Sequence, residues 1–357
     1  MGKNLTLFAV FCLILMVSCV ENPKKKEFDL TLLLKEITQK QILPTLTDFE
    51  KQAKKLVTEI EGYQSAPTLN QLKIVRAQWA NTAKAYERTY NFHFGPAKSK
   101  FLHRAIYNWP TVPETIENLL GSDEFNEEKM TKASPQIRSL AAMEYLLFGE
   151  ELEAVSSQME EHKARRDYLL YAAKFVQSQA TRLLKVWLDE GEGYAKTFSS
   201  NKADGLDGSF NLLYNGLYNA ANTAKVTKIG KPGGFEKSPR TNPGRVQAPY
   251  SNLSLELTVA SLEVIEQAFF GNDHPNISQY IASLSEDELI NQRIKTAIQD
   301  AKSAVAAIPV PLEKAVESHP EQVQQLHEKL TALNIWMGVD ARSVLSVIVT
   351  STDNDGD

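Results

Sequence analysis

Cysteine is nearly missing from this 357-residue chain: only Cys12 and Cys19 occur, both close to its start. The remaining residues have no thiol for a disulfide scaffold or a cysteine zinc site. Histidine is scarce too, six in all, which is few for a protein that would hold metal in imidazole clusters. Charge is not biased toward one sign, since 39 Lys and Arg meet 44 Asp and Glu for a formal net charge of −5. A nucleic-acid partner, which calls for a strong basic excess, is not expected. With 17 glycines and 15 prolines, collagen-like and low-complexity classes are excluded. The motifs Gly-x-Ser-x-Gly, His-Glu-x-x-His and Cys-x-x-Cys are absent. Gly230-Lys231-Pro232-Gly233-Gly234 lacks the spacing of a phosphate loop. Beyond the first twenty residues no apolar run approaches the length of a membrane helix.

Those first residues do carry a signal. A short basic start, Met1 to Asn4, leads into an apolar run from Leu5 to Val17, too short to span a bilayer comfortably and fitting a signal-peptide core. The run ends at Met16-Val17-Ser18-Cys19, which has the form of a bacterial lipobox. The reading is a signal peptide over 1–18, lipid on Cys19, and a solvated tether over 19–27 containing Lys24-Lys25-Lys26. An ordinary signal peptide with an incidental Cys19 is the alternative. The expected location is the cell envelope, with the membrane as partner through the lipid anchor. Val20 after Cys19 favours the outer membrane, on its periplasmic or surface face, by analogy with proteobacterial sorting.

The rest of the chain is patterned for helices. Leu30, Leu33, Leu34 and Ile37, then Phe49, Ala53, Leu56 and Ile60, recur at helical spacing, with Pro44 expected to kink or divide the segment. Leu72, Val75, Trp79, Ala83 and Tyr86 define a second helix over 69–90, stopped by His93-Phe94-Gly95-Pro96. Further helices are expected at 112–120, from Ser134-Pro135 through Phe148, and at 157–195, 210–224, 253–270, 287–307 and 322–336. Residues 227–250, rich in Gly and Pro and carrying Lys228, Lys231, Lys237, Arg240 and Arg245, read as a long loop. It is either a surface excursion or a basic lip over an anionic ligand. Ser346 to Thr350 is the best strand candidate. The expected fold class is all-α, with two packed helical bundles over 28–200 and 201–357.

One stretch has a family look. Ser139-Leu140-Ala141-Ala142-Met143-Glu144-Tyr145-Leu146-Leu147-Phe148-Gly149 resembles the signature helix of imelysin-like proteins, in which Gly-x-His-x-x-Glu runs into an apolar Glu-Tyr-Leu-Leu-Phe-Gly tail. In order along the chain, Trp79 and Tyr86 precede Phe92-His93-Phe94-Gly95-Pro96, then come Trp109-Pro110, Lys228-Ile229-Gly230-Lys231-Pro232-Gly233 and Pro249-Tyr250-Ser251. The chain closes on an acidic tail, Asp353-Asn354-Asp355-Gly356-Asp357. The resemblance implies an envelope protein linked to iron, haem or other metal uptake, with a site between two helical bundles. It also implies a history of description as metallopeptidases.

A His-x-x-Glu pair on a helix puts imidazole and carboxylate on one face, a donor set suited to zinc or iron. Here the motif histidine is Ala141 and the motif glycine is Ser139, so Glu144 is the only remaining family metal ligand. Tyr90 and Gln247 stand where the resemblance leads one to expect further acidic residues. The implied inter-domain pocket comprises Glu144, Tyr90, Trp79, His93, Ser139 and Ala141, and no catalytic residue is assigned. His93 and His103 are candidate replacement ligands or simply packing histidines. Trp79, Tyr86 and Trp109 are core aromatics or pocket lining. The functional expectation is a non-catalytic binding lipoprotein; a metal-dependent peptidase with substitute ligands is the alternative.

Overall fold

Asp29 opens the first helix by accepting the amide of Leu32 at 3.0 Å, one of the orphan donors at a helix start. The computed structural model describes residues 28–350 apart from 123, 124 and 288. The signal segment, Cys19 and the acidic tail at 353–357 lie outside the described residues. Helix α1 (Leu30–Ile37) passes through a π-helical turn, Thr38–Ile42, into α2 (Leu43–Ser65). Pro44 has no amide hydrogen and crowds the preceding turn, so the widened turn sits immediately before it. The bulge also frees Gln41 to donate to the carbonyl of Val264 at 2.8 Å, tying this end of the chain to a helix more than 200 residues away.

Helix α3 (Leu69–Tyr90) has the bounds its periodicity predicts, with Thr68 capping the amide of Gln71 at 3.2 Å. It packs beside α2, and α2 packs beside α5 (Lys163–Trp187). Between them in sequence, α4 (Leu140–Phe148) is short and almost wholly buried. In the second half, α6 (Ser209–Thr223), α7 (Ser254–Phe270), α8 (Leu289–Ala306) and α9 (Pro320–Ile335) follow their predicted positions closely. Helix α7 also packs on α3, and buried apolar side chains from Leu33 to Val347 form one contiguous cluster. The fold is all-α, and no strand occurs among the described residues.

Four expectations change. The pattern over 157–195 is three helices, Leu152–Glu161, α5 and Tyr194–Ser200. His162 is extended at φ −114° and ψ 94°, and a turn ending at Gly193, φ +66°, separates the last two. The start at Ser134-Pro135 is a single 3-10 turn, Pro135–Ile137, and the longer helix begins afresh after Ser139. The loop at 227–250 begins as helix: α6 runs on through a π-helical turn, Ala224–Gly230, and one more turn at Lys231–Gly233 before the chain leaves it. Finally, Ser346–Thr350 is not a strand: Ser346 closes the last helix in the left-handed region at φ +52°, and the residues after it have no partner strand. Asn211 and Asn215 on α6 take that role, with Ile348 N–H donating to Asn211 Oδ1 at 2.7 Å and Thr350 N–H to Asn215 Oδ1 at 2.9 Å.

Candidate functional site

Helix α4 is held from beneath by two residues of the expected pocket. Trp79, fully buried, donates its indole N–H to the carbonyl of Leu140 at 3.1 Å and packs against Phe148. Ser139 is also fully buried, and its hydroxyl accepts the amide of Asn108 at 3.2 Å. Both therefore act as supports for the helix. One turn on, Ala141 and Glu144 line a cavity of about 290 Å³ together with Trp109, Gln247, Tyr250 and Glu313.

Glu144 is 1% exposed. Its Oε1 accepts three hydrogen bonds from one turn of chain: Tyr250 N–H at 3.0 Å, Ser251 N–H at 2.8 Å and Ser251 Oγ–H at 2.8 Å. Burial nevertheless raises the carboxyl from 4.5 to about 7; the bonds from Ser251 and Tyr250 oppose the shift and nearby Glu313 adds to it. Glu313 is raised as well, mainly by burial, and both its carboxylate oxygens are buried without hydrogen-bond partners. Both carboxyls of this cavity therefore resist ionisation.

Beneath the cavity lies a second polar group that sequence reasoning missed. Glu87, one helical turn before Tyr90, is 2% exposed and paired with the ammonium of Lys228, itself 3% exposed. Gln247 completes the group by donating its amide to Glu87 Oε2 at 2.8 Å. Burial lowers the Lys228 pKa, while Glu87 pulls it back toward the charged form. Tyr107 donates its hydroxyl to the carbonyl of Gln247 at 3.3 Å, and burial, with smaller help from Glu144 and Glu87, raises its pKa. So where a second carboxylate approaches the Glu144 cavity, an internal lysine already supplies the positive charge.

The other predicted residues fall elsewhere. Tyr90 and His93 line a separate cavity of about 220 Å³, with His103, Lys98 and Arg104; Trp109 lines both cavities. The His93 and His103 rings lie 3.7 Å apart between centroids, and Tyr90 stacks on His93 at 6.1 Å. Burial lowers His93 from 6.5 to about 2, with His103, Lys98 and Arg104 pushing the same way, so its imidazole is neutral. These histidines do not line the cavity of Glu144. The single expected pocket of six residues is thus two supports, Trp79 and Ser139, and two cavities divided at Trp109.

The donors do not fit a resident metal of the kind the resemblance implies. The His-x-x-Glu pair is reduced to one carboxylate, one oxygen of which is already bonded three times. Among the described residues no group of three or more His, Cys, Asp or Glu is placed to hold a metal ion.

The signature helix, its clamp by Pro249-Tyr250-Ser251 and the all-helical frame now bear on identity. The family model described as Peptidase M75, imelysin, matches residues 42–335. The chain belongs to the imelysin family. Iron-regulated protein A of Synechococcus elongatus is 23% identical over 314 residues, covering 86% of this chain and 83% of that protein. The crystal structure of an imelysin-like protein from Psychrobacter arcticum 273-4 superposes with a TM-score of 0.73 at 18% identity, covering 90% of this chain and 96% of that one. That of a protein described as an iron-regulated protein A precursor, from Parabacteroides distasonis, also gives 0.73, at 20% identity and coverages of 88% and 94%. At these identities the two structures speak for the imelysin fold alone.

Two signals in the sequence could have found the missed imelysin residues. Glu87 follows Trp79 and Ala83 at intervals of four, so it is a carboxylate on an apolar stripe. Lys228 continues the stripe Leu217, Ala220 and Ala224 of α6, hidden by the Gly and Pro residues that follow it. Glu313 gave no such signal.

Proposed function

We propose that this imelysin is a lipid-anchored, non-catalytic binding protein of the cell envelope that serves iron or haem acquisition. The observation that carries the reading is the state of its two inward carboxylates. Glu144 is clamped by Tyr250 and Ser251, and Glu87 is neutralised by Lys228. A hydrolytic centre needs an activated water and a free base beside it; Ala141 removes one donor, and Glu144 and Glu87 are committed to holding the chain. The lipobox at Met16 to Cys19 supports the anchor, with the outer membrane as its destination, and the family's iron-regulated relatives support the iron link.

A second reading, a metal-dependent peptidase with substitute ligands, draws on one observation: Glu313 faces the same cavity as Glu144 with both oxygens unpartnered. Metal analysis of the purified mature protein separates the two. On the binding reading, iron and zinc stay well below one per chain in both parent and Glu144→Ala protein, and a casein digest shows no cleavage. Stoichiometric metal that is lost in Glu144→Ala, accompanied by proteolysis, overturns it. Detergent partitioning of the parent and a Cys19→Ala variant tests the anchor, with the parent expected in the detergent phase and the variant in the aqueous phase.

A further inference from the structure

The cavity that Tyr90 and His93 line is chemically unlike the one beside Glu144. Its walls come from residues 90–109 and 216–227, and no Asp or Glu is among them. Lys98 and Arg104 stand at its exposed edge, and neither is paired with a carboxylate among the described residues. Inside, three polar atoms are buried without partners: His93 Nε2, Asn219 Oδ1 and Thr227 Oγ1. Buried polar atoms normally find partners, and three orphans around one cavity mark a place where a ligand completes the hydrogen bonding.

Their chemistry narrows the ligand. Two cations at the edge call for an anionic group, and a guanidinium is matched to a carboxylate or phosphate. Asn219 Oδ1 can only accept, so its partner must be a donor; an ionised carboxylate has none, whereas a hydroxyl has one. Thr227 Oγ1 and the neutral His93 ring can each exchange a hydrogen bond with the same kind of group. Tyr90, Tyr107 and Trp109 supply flat walls. A volume of about 220 Å³ lies below the usual range for drug-sized ligands, so the molecule is small.

We infer that this cavity binds a small hydroxycarboxylate, with its carboxylate at Lys98 and Arg104 and its hydroxyl inside at Asn219, Thr227 and His93. The inference rests on the binding-protein reading and gives it a ligand class. Its cavity is separate from that of Glu144, so failure of the titration below and failure of the metal and proteolysis tests above are told apart.

Calorimetric titration of the purified mature protein with citrate, its deoxy analogue tricarballylate, inorganic phosphate and glycerol is the test. Citrate should bind at least tenfold more tightly than tricarballylate and phosphate, and glycerol should give no heat. A Lys98→Gln/Arg104→Gln variant, altered only at exposed positions, should lose at least tenfold in citrate affinity. Thr227→Val should bring citrate down to the level of tricarballylate while melting within a few degrees of the parent. Equal affinity for citrate and tricarballylate, phosphate as tight as citrate, or citrate binding untouched by the double variant would each overturn the inference. So would the absence of citrate heat at millimolar concentration. A His93→Phe protein, which keeps a ring at this place but loses its hydrogen-bonding nitrogens, should bind citrate at least tenfold more weakly; citrate affinity unchanged by it places the ligand elsewhere and sinks the proposal.

Discussion

The two cavities on either side of Trp109 are close in size and opposite in character. One is lined by Glu144 and Glu313, both raised by burial; the other is edged by Lys98 and Arg104 and holds a histidine kept neutral. In both, desolvation is the largest influence, and it acts against whichever form is charged: acids go up and imidazole goes down. The difference shows that one interior can hold a proton on an acid while refusing one to a base about fifty residues away in sequence. A third arrangement is the group of Tyr107, Gln247, Glu87 and Lys228, where the charges are paired instead of being suppressed.

Breaking that pairing should give the largest effect. Lys228→Met leaves Glu87 buried without its counter-charge, and loss of one member of such a pair costs about 3–5 kcal/mol. Urea unfolding at pH 7 should show a loss of that size. Adding Glu87→Gln should restore most of it, because the residual cost is an uncompensated charge and not lost packing. If the single variant is as stable as the parent, Lys228 is not what compensates the buried charge of Glu87.

The pH dependence of stability should separate the two sides. Glu144 holds its proton in the folded state up to about pH 7, while the unfolded chain releases it near 4.5. Between those values the folded protein binds more protons, so this carboxyl makes stability fall as pH rises. A shift of that size corresponds to about 3 kcal/mol by pH 7, and Glu144→Gln should remove it. The stability difference between variant and parent should therefore open between pH 4.5 and 7 and be constant above. Glu313 and the hydroxyls of Tyr107 and Tyr250 face or feel the same group and stay in place in both proteins.

His93 runs the other way. The folded ring stays neutral down to about pH 2, whereas the unfolded ring takes a proton below 6.5, so its contribution is lost as pH falls through that interval. His103, Lys98 and Arg104 are the groups that face it. His93→Phe should flatten the acid limb of the stability profile relative to the parent, with the opposite slope to the Glu144→Gln difference. Matching slopes would show that the two cavities share one electrostatic environment.

The smallest effect belongs to the clamp. Ser251→Ala removes one of three hydrogen bonds to Glu144 Oε1, for about 1 kcal/mol at pH 8 where the carboxylate is ionised. Because that bond favours the ionised form, its loss should also move the Glu144 titration upward, readable by carboxyl-region infrared spectra across pH 6–9.

Much of the frame was legible in the chain. Helix α3 follows from Leu72, Val75, Trp79 and Ala83, and Thr68 marks its start, because helical periodicity and capping act over a few residues. The helix at 224–233 was illegible for the same reason. Gly230, Pro232, Gly233 and Gly234 have poor local propensity, and the helix persists because Lys228 and Ile229 are buried against distant partners. The run at 346–350 looked like a strand because Val347, Ile348 and Val349 are β-branched, but its hydrogen-bond partners are asparagine side chains on α6.

The site divides in the same way. The sequence by itself determined an all-α imelysin, the loss of the motif histidine at Ala141 and the survival of Glu144, since those are matters of residue identity and local spacing. Only the tertiary structure decided that Glu144 is tied to Ser251, that Glu87 meets Lys228, that Glu313 joins the first cavity and that Tyr90 and His93 belong to the second. Each of those facts joins residues that are scores of positions apart in the chain. Their energies come from burial, which removes water from charged groups, and burial is a property of the packed whole and not of any segment within it.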